Sequence, residues 1–164
     1  MQLGKLIYFC GKMGAGKSTE SKKVAVTING VLISEDDWLS ALYPEQILSF
    51  DDYIQYSNLL KPLIKTHVQH LLRIGTNVVL DFPANTKKQR QWFMQLTAEI
   101  SADSELIYLE AENELCLTHI AQRRIEQPSR SAFDTEEVFH HVNQYFEAPT
   151  PNEVYSLTVI KQTR

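Results

Sequence analysis

The 164-residue sequence lacks any long apolar run. No window approaches the roughly 18 apolar residues that a membrane-spanning helix needs. It also lacks a secretory leader pattern, because Lys5 interrupts the first residues and the apolar stretch that follows stops at Gly11. These absences predict a soluble, cytoplasmic protein with no membrane partner. Basic charge is short as well: 16 Lys and Arg stand against 20 Asp and Glu, a net charge of −4. That balance excludes a general polyanion binder, whose affinity rests on a basic surface, and leaves room only for a local basic groove. Cysteine is scarce. Cys10 and Cys116 lie far apart, each in an apolar run, with no metal-ligand spacing, and read as reduced, buried thiols. His67, His70, His119, His140 and His141 form no zinc pattern, and no Ser-His-Asp arrangement is visible.

What is present is an ordinary globular composition, 43% hydrophobic and 22% charged. The length fits one domain over residues 1–164 and a core that needs no disulfide. Short apolar runs alternate with helical patterns. Strands are expected over 6–10 (LIYFC), 31–34, 77–82 (NVVLDF), 105–109 and 154–160. Helices are expected over 19–29, 52–74, 86–100, 113–127 and 135–147. Pro62 is read as a kink or as the first turn of a second helix. Asn29–Gly30 is a turn signal, Gly75 is a C-terminal cap and Thr86 an N-terminal cap. Continuous apolar strands alternating with helices imply a parallel sheet covered on both faces. The least regular segment is 127–134 (QPSRSAFD).

Residues 11–18 read GKMGAGKS, the G-x-x-x-x-G-K-S phosphate-loop pattern, with a strand expected directly before and a helix directly after. Glycines at 11, 14 and 16 allow positive φ and close backbone approach, so successive N–H groups can converge on an anion. The following helix points its positive end at the same spot. Gly11, Met13, Gly14, Ala15, Gly16, Lys17, Ser18 and Thr19 are therefore the expected cradle for ATP. Lys17 can neutralise the terminal phosphates and Ser18 can ligate Mg²⁺. Lys12 is given no role.

Ligands of parallel sheets bind at the C-terminal ends of the strands. Asp81 ends the third strand and is the simplest second Mg²⁺ ligand. Asp36 and Asp37 follow the second strand and are candidates for the base that accepts a hydroxyl proton, Asp36 being preferred. Ser34 is equally placed to cap a helix over 35–42, which would make those acids complements of the helix dipole. Arg123, Arg124 and Arg130 flank the irregular segment and suggest a lid over about 123–135 that closes on ATP. Asn85 reads as a turn residue or a substrate-orienting group, and Arg90 is open between support and substrate contact. Trp38, Tyr43, Tyr53 and Tyr56 read mainly as packing.

The GKMGAGKST loop, the ISEDDW segment, VVLDF and QRR resemble the small P-loop kinases, such as gluconate kinase, chloramphenicol phosphotransferase, zeta toxin and polynucleotide kinases. The runs VVLDFPANTKKQRQWF and YFEAPTPNE resemble AAA-family ATP-binding, kinase-like proteins over nearly the whole chain. The resemblance implies a three-layer α/β/α sandwich with a five-stranded, mainly parallel sheet and a small lid. It implies Asp36 as base and Arg123 or Arg124 on the ATP phosphates. It also implies an adenine near 149–153 and no ring ATPase. His119 stands where related lids often carry an arginine.

The favoured function is transfer of the ATP γ-phosphate to a hydroxyl of a small molecule or nucleotide. A nucleotide-dependent switch or ATPase acting on a protein partner is the alternative. A nucleic-acid 5′-end kinase is a third, for which Lys61, Lys65, Lys87, Lys88 and Arg90 could supply part of a groove. The guanine-reading N-K-x-D motif is absent.

Overall fold

A computed structural model describes residues 2–163. Five strands, β1 (Leu6–Cys10), β2 (Val31–Ser34), β3 (Val78–Asp81), β4 (Ser104–Glu110) and β5 (Leu157–Lys161), form one sheet in the order β2-β3-β1-β4-β5. Every pairing is parallel. All C-terminal strand ends therefore share one edge, and Ser34 is in register with Asp81 there.

Side chains alternate across the sheet and define the two cores. Leu6, Tyr8 and Cys10 of β1, with Val78 and Leu80 of β3, face one way. They pack under α2 (Glu35–Leu42), α3 (Phe50–Arg73) and α4 (Lys87–Ala98), which contribute Leu39, Leu60, Ile64, Val68, Leu72, Phe93 and Leu96. Ile7, Phe9, Val79, Ile107 and Leu109 face the other way, against α1 (Lys17–Thr27), α5 (Asn113–Glu126) and α6 (Glu136–Asn143). This is the three-layer α/β/α sandwich expected from the sequence. Cys10 and Cys116 are both buried and free. Among the described residues no helix is long and apolar enough to cross a membrane.

The local signals work as anticipated at several ends. Thr86 Oγ1 accepts from Gln89 N, and Gln89 Oε1 accepts from Thr86 N, a complete capping box on α4. Gly75, at φ +88°, follows the end of α3, and Asn29 adopts φ +53° in the turn before β2.

Other elements differ from the expectation. The β2–β3 connection holds two helices, because Ser34 does cap a separate α2, its Oγ accepting from Asp37 N at 3.4 Å. Pro62 lies inside a continuous α3 rather than starting a new helix. It sits on the exposed side of α3, where buried Leu60, Ile64 and Val68 hold the helix onto the sheet across it. Helix α6 ends at Asn143, and β5 starts at Leu157 instead of 154. Glu153 N there donates to Thr150 O, so the chain is still turning where the apolar run begins.

Arg90 is a support rather than a substrate contact. Its side chain is fully buried, Nε and Nη2 donate to Glu153 at 2.6 and 3.3 Å, and Nη1 donates to Ala84 O at 2.9 Å. It fastens α4 to the loop before β5. Removing one partner of a buried ion pair leaves an uncompensated charge, at a cost of about 3–5 kcal/mol. Arg90→Ala is therefore expected to lower unfolding free energy by about 3 kcal/mol or more, as read from urea denaturation.

Candidate active site

The phosphate loop leaves β1 at the middle of the sheet edge. Gly14 and Gly16 adopt φ +82° and +98°, as the motif requires, whereas Gly11 is absent from the left-handed region. Gly11 is instead needed for close approach, since a Cβ there would meet Leu109 O at 3.1 Å. At Gly14 a Cβ would lie 2.5 Å from Cys116 O, so space and conformation both demand glycine. Gly16 is the N-cap of α1 and supplies no side-chain cap. The first-turn N–H groups of α1 are thus left for an anion.

Four carbonyls of the loop have donors. Ala15 N donates to Lys12 O at 2.9 Å, and Glu20 N to Gly16 O at 3.1 Å. His119 Nδ1 lies 2.7 Å from Gly14 O. A carbonyl only accepts, so Nδ1 carries the hydrogen. Gln162 Nε2 donates to Ala15 O at 3.2 Å. At the start of the loop, Gly11 N donates to Asn85 Oδ1 at 3.0 Å. Asn85 is therefore more than a turn residue, because it ties the β3 exit to the loop. The bracing roles of His119 and Gln162 were not foreseen. His119 carried a signal, as the departure from an expected arginine, but Gln162 carried none.

Met13 packs against the α1–α5 core, which leaves its backbone as the part facing the loop. Ala15 is buried, while Ser18 and Thr19 are exposed. Lys12 Nζ reaches Asn113 Oδ1 at 2.9 Å, away from any loop carbonyl. Burial pushes the Lys17 pKa down from its ordinary value, against the pull of Cys10, Asp81, Asp36 and Glu35.

Ser18 Oγ donates to Asp81 Oδ2 at 2.9 Å. Burial raises the Asp81 pKa, opposed by the Ser18 hydroxyl and Lys17 and assisted by the charges of Asp36 and Asp37. A hydroxyl and a carboxylate in contact are hard oxygen donors, the type that suits Mg²⁺ held by few protein ligands and by phosphate.

Asp36 lies in the first turn of α2, half of its side chain in solvent, and the acids beside it complement the helix dipole as well. Glu35, one residue earlier, is buried and accepts from Ser57 Oγ at 2.8 Å and from the Tyr53 hydroxyl. Burial raises its pKa. Glu35 thus pins the start of α2 to α3 and fixes where Asp36 stands. Tyr53 and Tyr56 hydrogen-bond within this packing, Tyr56 to Gln46 Oε1, and the Tyr43 and Tyr56 rings lie 4.3 Å apart. Those aromatics pack as expected.

The arginines separate into two groups. Arg123 donates from Nε and Nη2 to Asp134 at 2.9 and 2.6 Å. Arg130 donates from Nε to Asp134 Oδ2 at 3.1 Å and from Nη1 to Asp36 Oδ2 at 3.3 Å. Burial disfavours the charge on Arg130, yet Asp36 and Asp134 outweigh it and raise the pKa. Arg124 is exposed and lines a cavity of about 250 Å³ between α5 and α6, which Asp134 also borders, but it makes no ion pair with that carboxylate among the described residues. The 127–134 segment contains a short 3₁₀ turn, Pro128–Arg130.

A phosphate loop after the central strand of an all-parallel sheet, with a serine and an acid in contact beside it, defines a P-loop kinase-like domain. Residues 6–149 match the family model described as an AAA domain, and the chain belongs to that family. No curated protein matches the sequence. Among solved structures, the chain resembles the APS kinase CysC of Mycobacterium tuberculosis in complex with AMPPNP and APS. The identity is 17%, the TM-score 0.70, and the match covers 100% of this chain and 91% of that one. Kti12 of Chaetomium thermophilum in complex with ADP-AlF3 is 17% identical, with TM-score 0.70 and coverage of 95% and 88%. A gluconokinase of Sinorhizobium meliloti is 16% identical, with TM-score 0.59 and coverage of 98% and 84%. At these identities the likeness is one of fold.

Gly14→Ala tests the loop geometry. A left-handed non-glycine residue costs about 1–3 kcal/mol, and the clash with Cys116 O adds to it. The variant is expected to lose about tenfold or more in ATP affinity, measured by titration calorimetry.

Proposed function

We propose that the chain is an ATP-dependent phosphotransferase that moves the γ-phosphate of ATP to a hydroxyl of a small molecule or nucleotide. The observation that carries this reading is the placement of Asp36 on one sheet edge with the phosphate loop, where its charge acts on both Lys17 and Asp81. Beyond its place in the helix dipole and its contact with Arg130, Asp36 offers a carboxylate at that point, which transfer to a hydroxyl needs to take the proton.

In this reading the loop N–H groups and the start of α1 bind the phosphates. The Lys17 ammonium, which burial disfavours, gains a further counter-charge from those phosphates. Ser18 and Asp81 would hold Mg²⁺, which when bound neutralises phosphate charge. Asp36 accepts the acceptor's hydroxyl proton as that oxygen bonds to the γ-phosphorus and the bond to the β–γ bridging oxygen breaks. ADP leaves with the electron pair of the broken bond. Arg123 and Arg130 neutralise charge on the transferring group. Arg124, on the cavity between α5 and α6, is the lid arginine with the least support.

The acceptor is narrowed by charge. Asp36, Asp37 and Asp81 lie near the loop, and two of the five basic residues named for a nucleic-acid groove are engaged in ion pairs. Lys65 pairs with Glu99 and Arg90 with Glu153. A small acceptor fits this better than a nucleic-acid strand.

The test is ADP release from MgATP, alone and against sugars, nucleosides, antibiotics and 5′-hydroxyl oligonucleotides. Acceptor-stimulated turnover is expected, falling about 100-fold or more in Asp36→Asn with ATP affinity retained. ATP hydrolysis that no acceptor stimulates and that survives Asp36→Asn would overturn the kinase reading in favour of a switch. Lys17→Met is expected to lose both nucleotide affinity and turnover in the same assays.

A further inference from the structure

Asp134 has no part in the chemistry just described, yet its surroundings are unusual. Its carboxylate is fully buried and receives three hydrogen bonds from two different arginines. It is not the cap of α6, since Thr135 Oγ1 takes that role by accepting from Val138 N. Its backbone N–H donates to Arg130 O at 2.9 Å, so main chain and side chain bind the same residue. Arg123 and Arg130 come from different elements, α5 and the 3₁₀ turn, and their guanidinium groups repel one another. A shared carboxylate is what allows them to sit side by side.

Each arginine keeps part of its surface free, with side-chain exposures of 29% and 32%. Arg123 Nη1 and Arg130 Nη2 make no hydrogen bond to another described residue, while Arg130 Nη1 reaches Asp36 beside the phosphate loop.

We propose that Asp134 is a positioning residue that clamps Arg123 and Arg130 into one unit and presents their free N–H groups together to the nucleotide phosphates. The proposal rests on the reading that these arginines meet phosphate. Phosphate arriving at the loop competes with Asp36 for Arg130, and the clamp keeps Arg130 in place when that contact is exchanged.

The test is MgATP affinity, by titration calorimetry, in four proteins: wild type, Asp134→Asn, Arg123→Gln/Arg130→Gln, and the triple variant. Asp134→Asn is expected to weaken ATP binding about tenfold, the scale of a lost charge-assisted contact. In the arginine-free background the same substitution is expected to change affinity by less than about twofold, because the residue acts only through the arginines. An equal loss in both backgrounds would make Asp134 a structural residue and overturn the proposal. So would an unchanged affinity in Asp134→Asn when the double arginine variant binds weakly. If the double arginine variant binds ATP as wild type does, the phosphate role of the arginines fails and the clamp with it. Asp134→Glu keeps the charge but displaces it by one carbon–carbon bond. It carries the same comparison if Asp134→Asn does not fold, with an expected loss of about threefold, again only where both arginines are present.

Discussion

A chain that turns several N–H groups inward around one point must turn the intervening carbonyls outward, and buried carbonyls need donors. The whole site depends on meeting that condition. Two of the outward carbonyls are served locally, by Ala15 N and Glu20 N. Gly14 O and Ala15 O are served from remote parts of the chain, by His119 on α5 and Gln162 after β5, while Asn85 receives the first N–H of the loop. The sheet order makes this feasible. β1 lies between β3 and β4, so the segment following β3 flanks the loop on one side, and the segments following β4 and β5 flank it on the other.

Charge is organised around the same point. Lys17, Asp81 and Asp36 influence one another, and burial moves Lys17 and Asp81 toward their neutral forms. In the proposed reading, phosphate would add a counter-anion for the lysine and a bound cation a counter-charge for the carboxylate. Glu35 shows how position is controlled nearby. Held by Tyr53 and Ser57, it roots α2 in the core while the next residue stays at the surface.

Much of this was legible in the sequence, for identifiable reasons. The fold could be read because strands buried on both faces leave continuous apolar runs, and the phosphate loop because its glycine spacing follows from backbone geometry. Asp81 and Asp36 were singled out by a general property of parallel sheets, that strand ends gather on one edge, and Ser18 by the phosphate-loop motif itself. The helix over 35–42 and the acids within it were posed as competing readings, and the structure supports the helix without excluding the acids' use. What could not be read were pairings across long separations. Arg90 with Glu153, Arg123 with Asp134 and His119 with Gly14 depend on side-chain directions that no local pattern encodes. Of the two readings of Pro62, the start of a second helix fails, because packing holds α3 as one helix across it.

The brace from Gln162 spans 147 positions of sequence to reach Ala15, and that from His119 spans 105 to reach Gly14. Both donors follow the loop in the chain, one on α5 and one after β5, so two of its carbonyls are satisfied only when those elements are docked. The geometry of the glycine-rich turn is thereby tied to the completeness of the sheet, and a change that loosens α5 or β5 reaches the loop without touching its own residues.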